Sequence, residues 1–265
     1  MESSETDMFD EAPADERPQG RFVDVHCHCL PGMDDGPTDR AEALTLCEAL
    51  AADRVTTVVA TPHQLGRYDG LYDAADIRRA VAQLNTLLGE AGIPLTVHPG
   101  ADVRIDERIG ALLGSDQILT VADAGRWLML ELPHEVFIDP TMLLAGLAED
   151  GILVMVSHPE RHRFLAARPG HVRQWVPYGA CLQITAASFV GEFGADSERA
   201  AWTFLNEPLP VLVANDAHDT AGRAPRMTAA CQLLAQQLGA RAADILCIEN
   251  PRRLLAGDDL LMLDR

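Results

Sequence analysis

Histidine and carboxylate motifs follow several apolar runs of this sequence. They contain five of the nine histidines, and each lies where a buried strand is expected to end. The motifs are His26-Cys27-His28, Asp34-Asp35-Gly36-Pro37, Thr61-Pro62-His63, Ser157-His158-Pro159-Glu160-Arg161 and Asn215-Asp216-Ala217-His218. Neutral imidazole and carboxylate groups are ligands that hard and borderline divalent cations accept. The pattern therefore predicts a metal site assembled from several strands, of the kind that a metal-dependent hydrolase needs.

The two histidines of the first motif are separated by one residue at the end of a predicted strand. Residues two apart on a strand face the same side, so His26 and His28 should lie together and Cys27 and Cys29 opposite them. A pair of surface histidines is the alternative explanation. A zinc site based on Cys27 and Cys29 is a weaker alternative, because the other cysteines offer no matching knuckle.

Acidic residues stand close to these histidines in the sequence. The Asp34-Asp35-Gly36-Pro37 turn can supply a carboxylate to the same cluster, and Asp216 precedes His218 by two residues at another strand end. Glu131 lies near the end of the apolar run Trp127–Leu132, where an acid needs a partner. That partner is either a bound cation or an arginine.

Two other features are not assigned to the metal site. One is the set of histidines without this setting, which we interpret as structural or surface residues: His98, His134, His162 and His171. The other is a C-x5-R spacing from Cys247 to Arg253, as in cysteine-dependent phosphatases. The intervening residues include Glu249 and Pro251 and no glycine, which is unsuited to a phosphate-binding loop of backbone N–H groups.

Bulk composition excludes several classes of protein. The 265 residues carry a net charge of −19, from 40 acidic and 21 basic residues, which disfavours nucleic acid and anionic membranes as partners. No run of about 20 apolar residues occurs, so no membrane insertion is expected. The acidic N-terminus lacks an apolar signal-peptide core, and the six cysteines form no C-x-x-C pair. These features predict a cytoplasmic protein with reduced thiols.

Strand-like and helix-like segments alternate after the first 20 residues. The predicted strands are Phe22–His26, Val55–Ala60, Leu95–His98, Leu128–Leu132, Ile152–Val156, Cys181–Ile184 and Val211–Ala214. The predicted helices are Asp39–Asp53, Asp73–Ala91, Asp139–Asp150, Arg168–Val176, Ser197–Asn206 and Arg226–Leu238. This alternation predicts an α/β fold with parallel strands, and the number of units favours a distorted (β/α)7-type barrel over an open sheet.

The predicted barrel would place the metal site at the C-terminal ends of its strands, where loops distant in sequence converge. Residues 1–20 are acidic and contain Pro13 and Pro18, which is typical of a disordered tail. No internal repeat or linker divides the rest, so residues 21–265 are predicted to form one domain.

Taken in order, the motifs resemble the PHP (polymerase and histidinol phosphatase) superfamily, and more narrowly the bacterial protein-tyrosine phosphatases of capsule and exopolysaccharide loci. The resemblance runs from about Phe22 to Gly257. Besides the motifs above, it rests on the following segments: Pro99-Gly-Ala-Asp102-Val-Arg104, Gln183-Ile-Thr185, Phe193-Gly194 and Asn250-Pro251.

The resemblance implies a distorted barrel that binds two or three divalent cations, most often Mn²⁺, with iron or zinc as alternatives. The implied ligands are His26, His28, Asp35, His63, Asp102, Glu131, His158, Asp216 and His218. Arg161 and Arg223 fall where such proteins bind phosphate. One position departs from the pattern, because Asp102 stands where the superfamily usually has a glutamate that bridges two metals.

The implied activity is hydrolysis of phosphotyrosine on proteins, such as a bacterial tyrosine kinase of polysaccharide synthesis, by attack of a metal-bound hydroxide. Three divalent cations would outweigh the four ligand carboxylates, so the site would attract an anionic substrate despite the acidic chain. Two alternatives remain open. One is a phosphatase for a small metabolite such as histidinol phosphate, and the other is a non-catalytic PHP-like regulatory domain, which Asp102 would favour.

Overall fold

Parallel β-strands alternate with helices throughout residues 22–263, the part of the chain that the computed structural model describes. The strands are β1 (Phe22–Cys27), β2 (Val55–Ala60), β3 (His63–Gln64), β4 (Thr96–Pro99), β5 (Asp102–Arg104), β6 (Trp127–Glu131), β7 (Leu153–Ser157), β8 (Cys181–Thr185) and β9 (Val211–Ala214). All strand pairs are parallel, so each strand is followed by a crossover connection.

The connections are mostly helical. The α-helices are α1 (Arg40–Ala52), α2 (Ala74–Ala91), α3 (Ile109–Gly114), α4 (Thr141–Glu149), α5 (Arg163–Ala167), α6 (Ala186–Phe189), α7 (Gly194–Phe204), α8 (Met227–Leu238), α9 (Ala240–Asp244) and α10 (Asn250–Ala256). Short 3-10 helices span Gly66–Tyr68, Val121–Asp123, Pro159–Arg161 and Pro169–Tyr178, and a π-helix spans Ile245–Glu249. None of the described helices is long and apolar enough to cross a membrane.

Local sequence accounts for the starts of the first two helices. The side chain of Asp39 accepts hydrogen bonds from the backbone N–H groups of Ala41 and Glu42, which caps α1. Asp73 and Asp76 form a reciprocal capping box at the start of α2. That helix ends at Gly92, whose φ of 70° is the left-handed conformation that glycine adopts without strain.

The strands form two sheets that meet at both edges. One sheet has the order β1-β2-β4 and the other the order β3-β5-β6-β7-β8-β9. At one edge, β2 and β4 continue into β3 and β5 after breaks of two residues. The second break contains Gly100, where an added Cβ would lie 2.6 Å from Val59 Cγ1. The close approach of the two strands therefore requires glycine at this position.

At the other edge, β9 lies beside β1. The two strand ends are joined by a single parallel bridge between Cys27 and Ala217. Asp216 N donates to His26 O at 2.8 Å, and His28 N donates to Ala217 O at 2.9 Å. The predicted parallel α/β class is confirmed. A continuous ladder between β9 and β1 does not form within residues 22–263. These backbone bonds join the two strand ends together with side-chain bonds, such as that from Asn215 N to Asp24 Oδ1 at 3.0 Å.

Alternate side chains of the central strands enter two different buried clusters. Leu128 and Leu130 of β6 pack in the larger cluster with helix residues, whereas Met129 lies in a smaller cluster formed mainly by strand residues. Glu131 is two residues beyond Met129 and therefore faces the same side. Gln183 follows Cys181 of the smaller cluster in the same way. Polar residues of the site, such as Glu131 and Gln183, thus lie on the same side of the strands as the smaller apolar cluster, nearer the C-terminal strand ends.

All seven predicted strands are present, and most predicted helices are found. The segment Arg168–Val176 was predicted as an ordinary helix, but Pro169–Tyr178 forms a 3-10 helix. Proline lacks a backbone donor and clashes with an α-helical backbone, and Pro177 lies inside this segment. The predicted tail, residues 1–20, lies outside the described residues. The division into that tail and a domain of residues 21–265 stays a prediction.

Candidate metal centre

The predicted ligands converge on one cavity at the C-terminal ends of the strands. The cavity has a volume of about 360 Å³, within the range of small-molecule sites. Four of the implied ligands contribute to its wall, together with both arginines of the resemblance: Asp35, His63, Glu131, His158, Arg161 and Arg223. The remaining implied ligands are buried beneath these residues: His26, His28, Asp102, Asp216 and His218.

His26 and His28 face each other as the H-x-H spacing predicts. Their Nε2 atoms are 3.2 Å apart, and both side chains are fully buried. The Nδ1 atom of His26 lies 2.9 Å from Gln183 Oε1, which also accepts a hydrogen bond from the backbone N–H of His158. Because Gln183 Oε1 is an acceptor, His26 Nδ1 carries the proton and its Nε2 presents a lone pair.

The same reasoning assigns the proton position on the His28 ring. Its Nδ1 lies 2.6 Å from Asp34 Oδ2, and a carboxylate oxygen is an acceptor, so the proton resides on Nδ1. When both rings are neutral, the two lone pairs 3.2 Å apart repel each other unless a proton or a metal cation lies between them. A cation satisfies that requirement, and a carboxylate that holds the distal nitrogen of a ligand histidine is a recurring feature of metal sites.

Several polar atoms of the cluster are buried without a hydrogen-bond partner. They are His63 Nδ1, Asp102 Oδ2, Asp216 Oδ1 and His218 Nε2. His218 Nδ1 lies 3.0 Å from the carbonyl oxygen of Asp216, which leaves its Nε2 free as a lone pair. Buried polar groups are normally paired. These unpaired nitrogen and oxygen atoms are of the types that bind divalent cations, and they lie close enough together to do so.

Asp102 occupies the centre of the cluster. Its Oδ2 lies 3.5 Å from His63 Nδ1 and 3.7 Å from His26 Nε2. It also lies 3.9 Å from His158 Nε2, while Oδ1 accepts a hydrogen bond of 3.1 Å from Ser157 Oγ. Burial, followed by repulsion from Glu131, raises the pKa of Asp102 well above its usual range. A fully buried carboxylate among imidazole nitrogens is favourable when it binds a cation.

Glu131 lies between the proposed cation site and an arginine, the two kinds of partner that its apolar sequence context predicted. Its Oε2 lies 3.7 Å from His63 Nδ1 on the side of the cluster. The same oxygen lies 2.9 Å from Arg104 Nη1, so an arginine also compensates the charge. Burial raises the pKa of Glu131, and the guanidinium of Arg104 opposes that change. Glu131 is therefore positioned as a ligand at the rim of the cluster next to a fixed cation.

The buried carboxylates of the cluster are stabilised by additional positive charge. Burial alone disfavours protonation of His28, yet the carboxylates of Asp34 and Asp216 outweigh it and raise the pKa of His28 to about 10. In contrast, burial lowers the pKa of His26 to about 3, so that ring is neutral at physiological pH. Neutral imidazole is the form that binds metal, and a cation replaces the proton that the carboxylates would otherwise hold on His28.

Two of the implied ligands adopt left-handed backbone conformations. The φ angle is 33° for His158, which directly follows β7, and 53° for Asp216, which lies two residues after the end of β9. Such angles are unfavourable for residues other than glycine and persist where the surrounding structure imposes them. Here they turn both side chains into the cluster, with His26 Nε2 lying 3.2 Å from Asp216 Oδ1.

Five groups of side chains present ligand atoms within 4.8 Å of one another. They are His28-Asp35-His63-His218, His26-His28-Asp102, His26-His158-Asp216, His63-Asp102-Glu131 and Glu131-His134-His158. Every implied ligand belongs to at least one group. The groups share members, so the site is suited to more than one cation. One member is His134, which the sequence pattern assigned to a structural or surface role and which the structure places against the ligand cluster.

His134 reaches the cluster because the loop after β6 turns back toward it. Its Nε2 lies 3.8 Å from Glu131 Oε1, and its ring centroid is 5.2 Å from that of His158. His134 follows the predicted strand Leu128–Leu132 by two residues, as Asp216 follows Val211–Ala214, so the strand-end criterion applies to it as well. A second signal was present in the sequence, since His134 follows Glu131 by three residues.

The two arginines of the resemblance converge on a single carboxylate. Arg223 Nη2 lies 2.5 Å from Asp216 Oδ2, and Arg161 Nη1 pairs with the same oxygen. The guanidinium of Arg161 also lies 4.2 Å from the ring centroid of Phe193. Burial opposes ionisation of Asp216, yet the guanidinium charges of Arg223 and Arg161 help to hold its pKa well below its usual range. The cavity thus has two guanidinium groups beside the ligand cluster.

The remaining histidines and the cysteines have other roles. His162 Nδ1 accepts hydrogen bonds from the backbone of Phe164 and Leu165 at the start of α5, which is a structural role. All six cysteines are buried and none is in a disulfide. Cys247 lies in the π-helix, and burial raises the pKa of its thiol well above the usual value. A buried protonated thiol outside a phosphate-binding loop confirms that the C-x5-R spacing is accidental.

A parallel α/β fold with imidazole and carboxylate ligands gathered at its strand ends is the architecture of a metal-dependent hydrolase. The particular family follows from comparison. The CpsB/CapC family of capsular polysaccharide synthesis matches residues 22–256, and the chain belongs to this family.

Named relatives agree with that assignment. Tyrosine-protein phosphatase YwqE of Bacillus subtilis (strain 168) is 32% identical over 237 residues, which cover 88% of this chain and 91% of that protein. Tyrosine-protein phosphatase CpsB of Streptococcus pneumoniae is 27% identical over 242 residues, 88% of this chain and 98% of that protein.

Solved structures show the same relationship. A structure from the study of YwqE and CpsB, described as metal-dependent tyrosine phosphatases, superposes with a TM-score of 0.85 at 30% identity. It covers 92% of this chain and 100% of that chain. A lactonase from Listeria monocytogenes superposes with a TM-score of 0.50 at 13% identity, over 92% of this chain and 95% of its own. The latter likeness concerns the fold alone.

Proposed function

We propose that this chain is a metal-dependent phosphatase that hydrolyses phosphotyrosine on proteins. The observation that carries the proposal is the convergence of Arg161 and Arg223 on Asp216 Oδ2, inside a cavity that also opens onto the ligand cluster. Metal ligands beside two guanidinium groups are what the transfer of a phosphoryl group requires. The names of the relatives support phosphotyrosine as the substrate.

The residues that would hold the cations are those of the overlapping groups: His26, His28, Asp35, His63, Asp102, Glu131, His158, Asp216 and His218. His134 adds a further donor beside Glu131 and His158. The mixture of imidazole and carboxylate suits Mn²⁺, with iron or zinc as alternatives. When bound, two or three such cations would lower the pKa of a coordinated water to near neutrality and would neutralise phosphate charge.

The protein groups bind and orient the phosphate. A guanidinium has five N–H donors, so Arg161 and Arg223 can keep their contacts with Asp216 and still donate to phosphate oxygens. The ring of Phe193 holds the guanidinium of Arg161 in place at 4.2 Å. Both arginines are thereby fixed before the substrate arrives, so that charge developing on the phosphoryl oxygens meets preorganised donors.

The leaving group needs little assistance from the protein. A phenol has a pKa of about 10, so a phenolate departs from phosphorus without full protonation. The alcohol of serine or of histidinol is a much poorer leaving group. A site that lacks an assigned general acid is therefore better suited to phosphotyrosine than to an alkyl phosphate.

The biological setting follows from the family. Its description concerns capsular polysaccharide synthesis, and we propose a bacterial tyrosine kinase of polysaccharide synthesis as the phosphorylated partner, in the cytoplasm. The net charge of −19 disfavours nucleic acid as a substrate. Residues 21–265 are proposed to act as one PHP-type metallophosphatase domain, preceded by the acidic segment of residues 1–20.

The decisive experiment compares three substrates on the metal-loaded protein. Phosphotyrosine peptide, phosphoserine peptide and histidinol phosphate are supplied at equal concentration, and phosphate release is measured. We expect the phosphotyrosine peptide to have the highest kcat/KM. If histidinol phosphate is turned over best, the protein is a metabolite phosphatase instead. Absence of turnover for all three substrates in the fully loaded protein would favour the non-catalytic regulatory domain.

A further inference from the structure

The wall of the cavity has two chemically different parts. One part carries members of the ligand cluster and the guanidinium groups of Arg104, Arg161 and Arg223. The other part is the loop that follows β3, from Leu65 to Tyr68, which packs beside the cluster. The imidazole and guanidinium groups of the first part are assigned to cations and phosphate. The loop is the part of the wall that the proposed chemistry leaves unexplained.

Tyr68 is the aromatic residue of that wall. Its ring lies nearly parallel to the ring of His63, with an interplanar angle of 14° and centroids 5.6 Å apart. The guanidinium of Arg67 lies 4.7 Å from the Tyr68 centroid and pairs with Asp35 at 3.0 Å. Arg67 is 67% exposed and Asp35 is 41% exposed, so this ion pair is weak and easily separated.

The loop holds Tyr68 in a defined place. Tyr72 donates its hydroxyl hydrogen to the carbonyl oxygen of His63, which ties the loop to a proposed ligand. Leu65 and Gly66 both have positive φ, 67° and 56°, and so turn the chain sharply over the cavity. An added Cβ at Gly66 would lie 3.1 Å from Arg104 Cγ, so the turn packs against the arginine that pairs with Glu131.

We infer that Tyr68 is the wall against which the phenyl ring of a phosphotyrosine substrate packs, so that it selects aryl over alkyl phosphates. This inference rests on the proposed function and adds a residue that determines specificity. Tyr68, Arg161 and Arg223 line the same cavity, so a ring attached to phosphate held by the two arginines can meet the aromatic side chain of Tyr68. Stacked aromatic pairs add to the affinity beyond the area that they bury. Arg67 is exposed at the rim and is not required for the preference.

Binding without turnover gives the cleanest test. Phenylphosphonate and methylphosphonate carry the same anionic group and differ in the aryl ring, and neither has an ester bond to hydrolyse. Their affinities for the manganese-loaded protein are measured by isothermal titration calorimetry. We expect Tyr68→Leu to reduce the preference for phenylphosphonate about threefold to tenfold, which corresponds to the usual worth of an aromatic pair. Tyr68→Phe should retain the preference within about twofold.

Two further variants serve as controls. Tyr178→Leu removes a tyrosine of the Pro169–Tyr178 segment, away from the cavity, and should leave the preference unchanged. Arg67→Ala removes the neighbouring cation. If Arg67→Ala abolishes the preference and Tyr68→Leu preserves it, recognition depends on the cation and the inference is wrong. Metal content is measured for each variant, because Tyr68 contacts His63.

Turnover separates the failure of this inference from the failure of the proposed function. With phosphotyrosine and phosphoserine peptides as substrates, Tyr68→Leu should lower kcat/KM for the former severalfold and leave the latter nearly unchanged. An equal loss for both substrates would overturn the role of Tyr68 while the phosphatase assignment stands. Conversely, a Tyr68-dependent preference for phenylphosphonate in a protein without turnover would support the wall and refute the proposed activity.

Discussion

The Asp34 carboxylate holds the ring of His28 at a hydrogen-bond distance of 2.6 Å between Oδ2 and Nδ1. The same oxygen accepts a hydrogen bond of 3.1 Å from the backbone N–H of His63. One carboxylate thus positions two of the proposed ligands without facing the metal cluster itself. Asp34 is therefore a positioning residue, and its neighbour Asp35 is the proposed ligand.

Removing this carboxylate should weaken metal binding. Asp34→Ala leaves His28 Nδ1 without its acceptor, so we expect metal affinity to fall about 10- to 100-fold. Asp34→Asn retains an acceptor oxygen and should show a smaller loss. Competition against a chelating dye measures the affinity. Asp39→Ala, which removes the cap of α1, should lower stability and leave metal affinity unchanged. Equal affinities for the parent and Asp34→Ala would refute the positioning role.

Metal removal should abolish activity and destabilise the fold. The cluster contains buried carboxylates and imidazoles without hydrogen-bond partners, and bound cations compensate them. At metal concentrations about 100-fold above the dissociation constant, binding contributes about 2.7 kcal/mol to the free energy of unfolding. Urea titration of the loaded and chelator-treated protein measures the difference. Elemental analysis after incubation with Mn²⁺ should find two or three metals per chain, and less than one would contradict the site.

Thiol alkylation should have no such effect, because every cysteine is buried. Treatment of the native, metal-loaded enzyme with iodoacetamide is the measurement, and phosphate release is the readout. Rapid inactivation accompanied by modification of Cys247 would revive a mechanism based on cysteine.

The sequence predicted the parts of the site that depend on local order. A strand exposes residues to alternate sides, and this periodicity placed His26 beside His28. Parallel strands end at one edge, which brought His158 and Asp216 to the same cluster although they are far apart in the chain. The apolar context of Glu131 predicted a charged partner, and both a ligand cluster and Arg104 are present.

The residues that were missed depend on long-range packing. Gln183 reaches His26 across 157 positions of sequence, and nothing in its own neighbourhood indicates this contact. The choice between Asp34 and Asp35 depends on which way a turn directs each side chain, which the motif alone does not determine. His134 enters the cavity through the course of a loop. The two-residue breaks between β2 and β3 and between β4 and β5 likewise result from closure of the ring of strands.

His134 should strengthen binding of the cation nearest Glu131. Because its Nε2 lies 3.8 Å from Glu131 Oε1, replacement by alanine removes one donor from that group. We expect His134→Ala to weaken the binding of one metal several-fold and to leave the others in place. Stepwise calorimetric titration with Mn²⁺ resolves this. His171→Ala is the matched control, since that ring lies among Phe137 and Phe164. If both variants bind metal identically, His134 is not a ligand.

Asp102 tests whether a shorter acid can serve at the centre of the cluster. Its carboxylate is fully buried, with Oδ2 lying among three histidines. Asp102→Ala should lose at least one metal and most turnover, and Asp102→Asn should do the same while filling the same volume. Asp102→Glu introduces the residue usual in the PHP superfamily that the motifs resemble, and it should retain activity. A fully active Asp102→Ala protein, by phosphate release and elemental analysis, would remove Asp102 from the ligand set.

Arg161 separates a role in binding phosphate from a role in supporting the loop. It follows His158 by three residues, so a proposed ligand and a guanidinium belong to one short segment. Glu160 is adjacent in sequence and Glu131 lines the same cavity, so either acid is an alternative partner for Arg161. The structure instead pairs Arg161 with Asp216, while Glu160 accepts hydrogen bonds from Thr185 N at 3.0 Å and Ser188 Oγ at 2.7 Å.

Arg161→Ala should therefore lower kcat/KM on phosphotyrosine peptide by on the order of 100-fold with the metals still bound, because a preorganised donor to the phosphoryl oxygens is lost. Arg161→Lys keeps the charge but not the planar fork and should recover only part of the activity. Arg163→Ala, at an exposed position two residues later, is the matched control. If Arg161→Ala lowers the melting temperature but retains the parent's kcat/KM, the arginine only supports its loop.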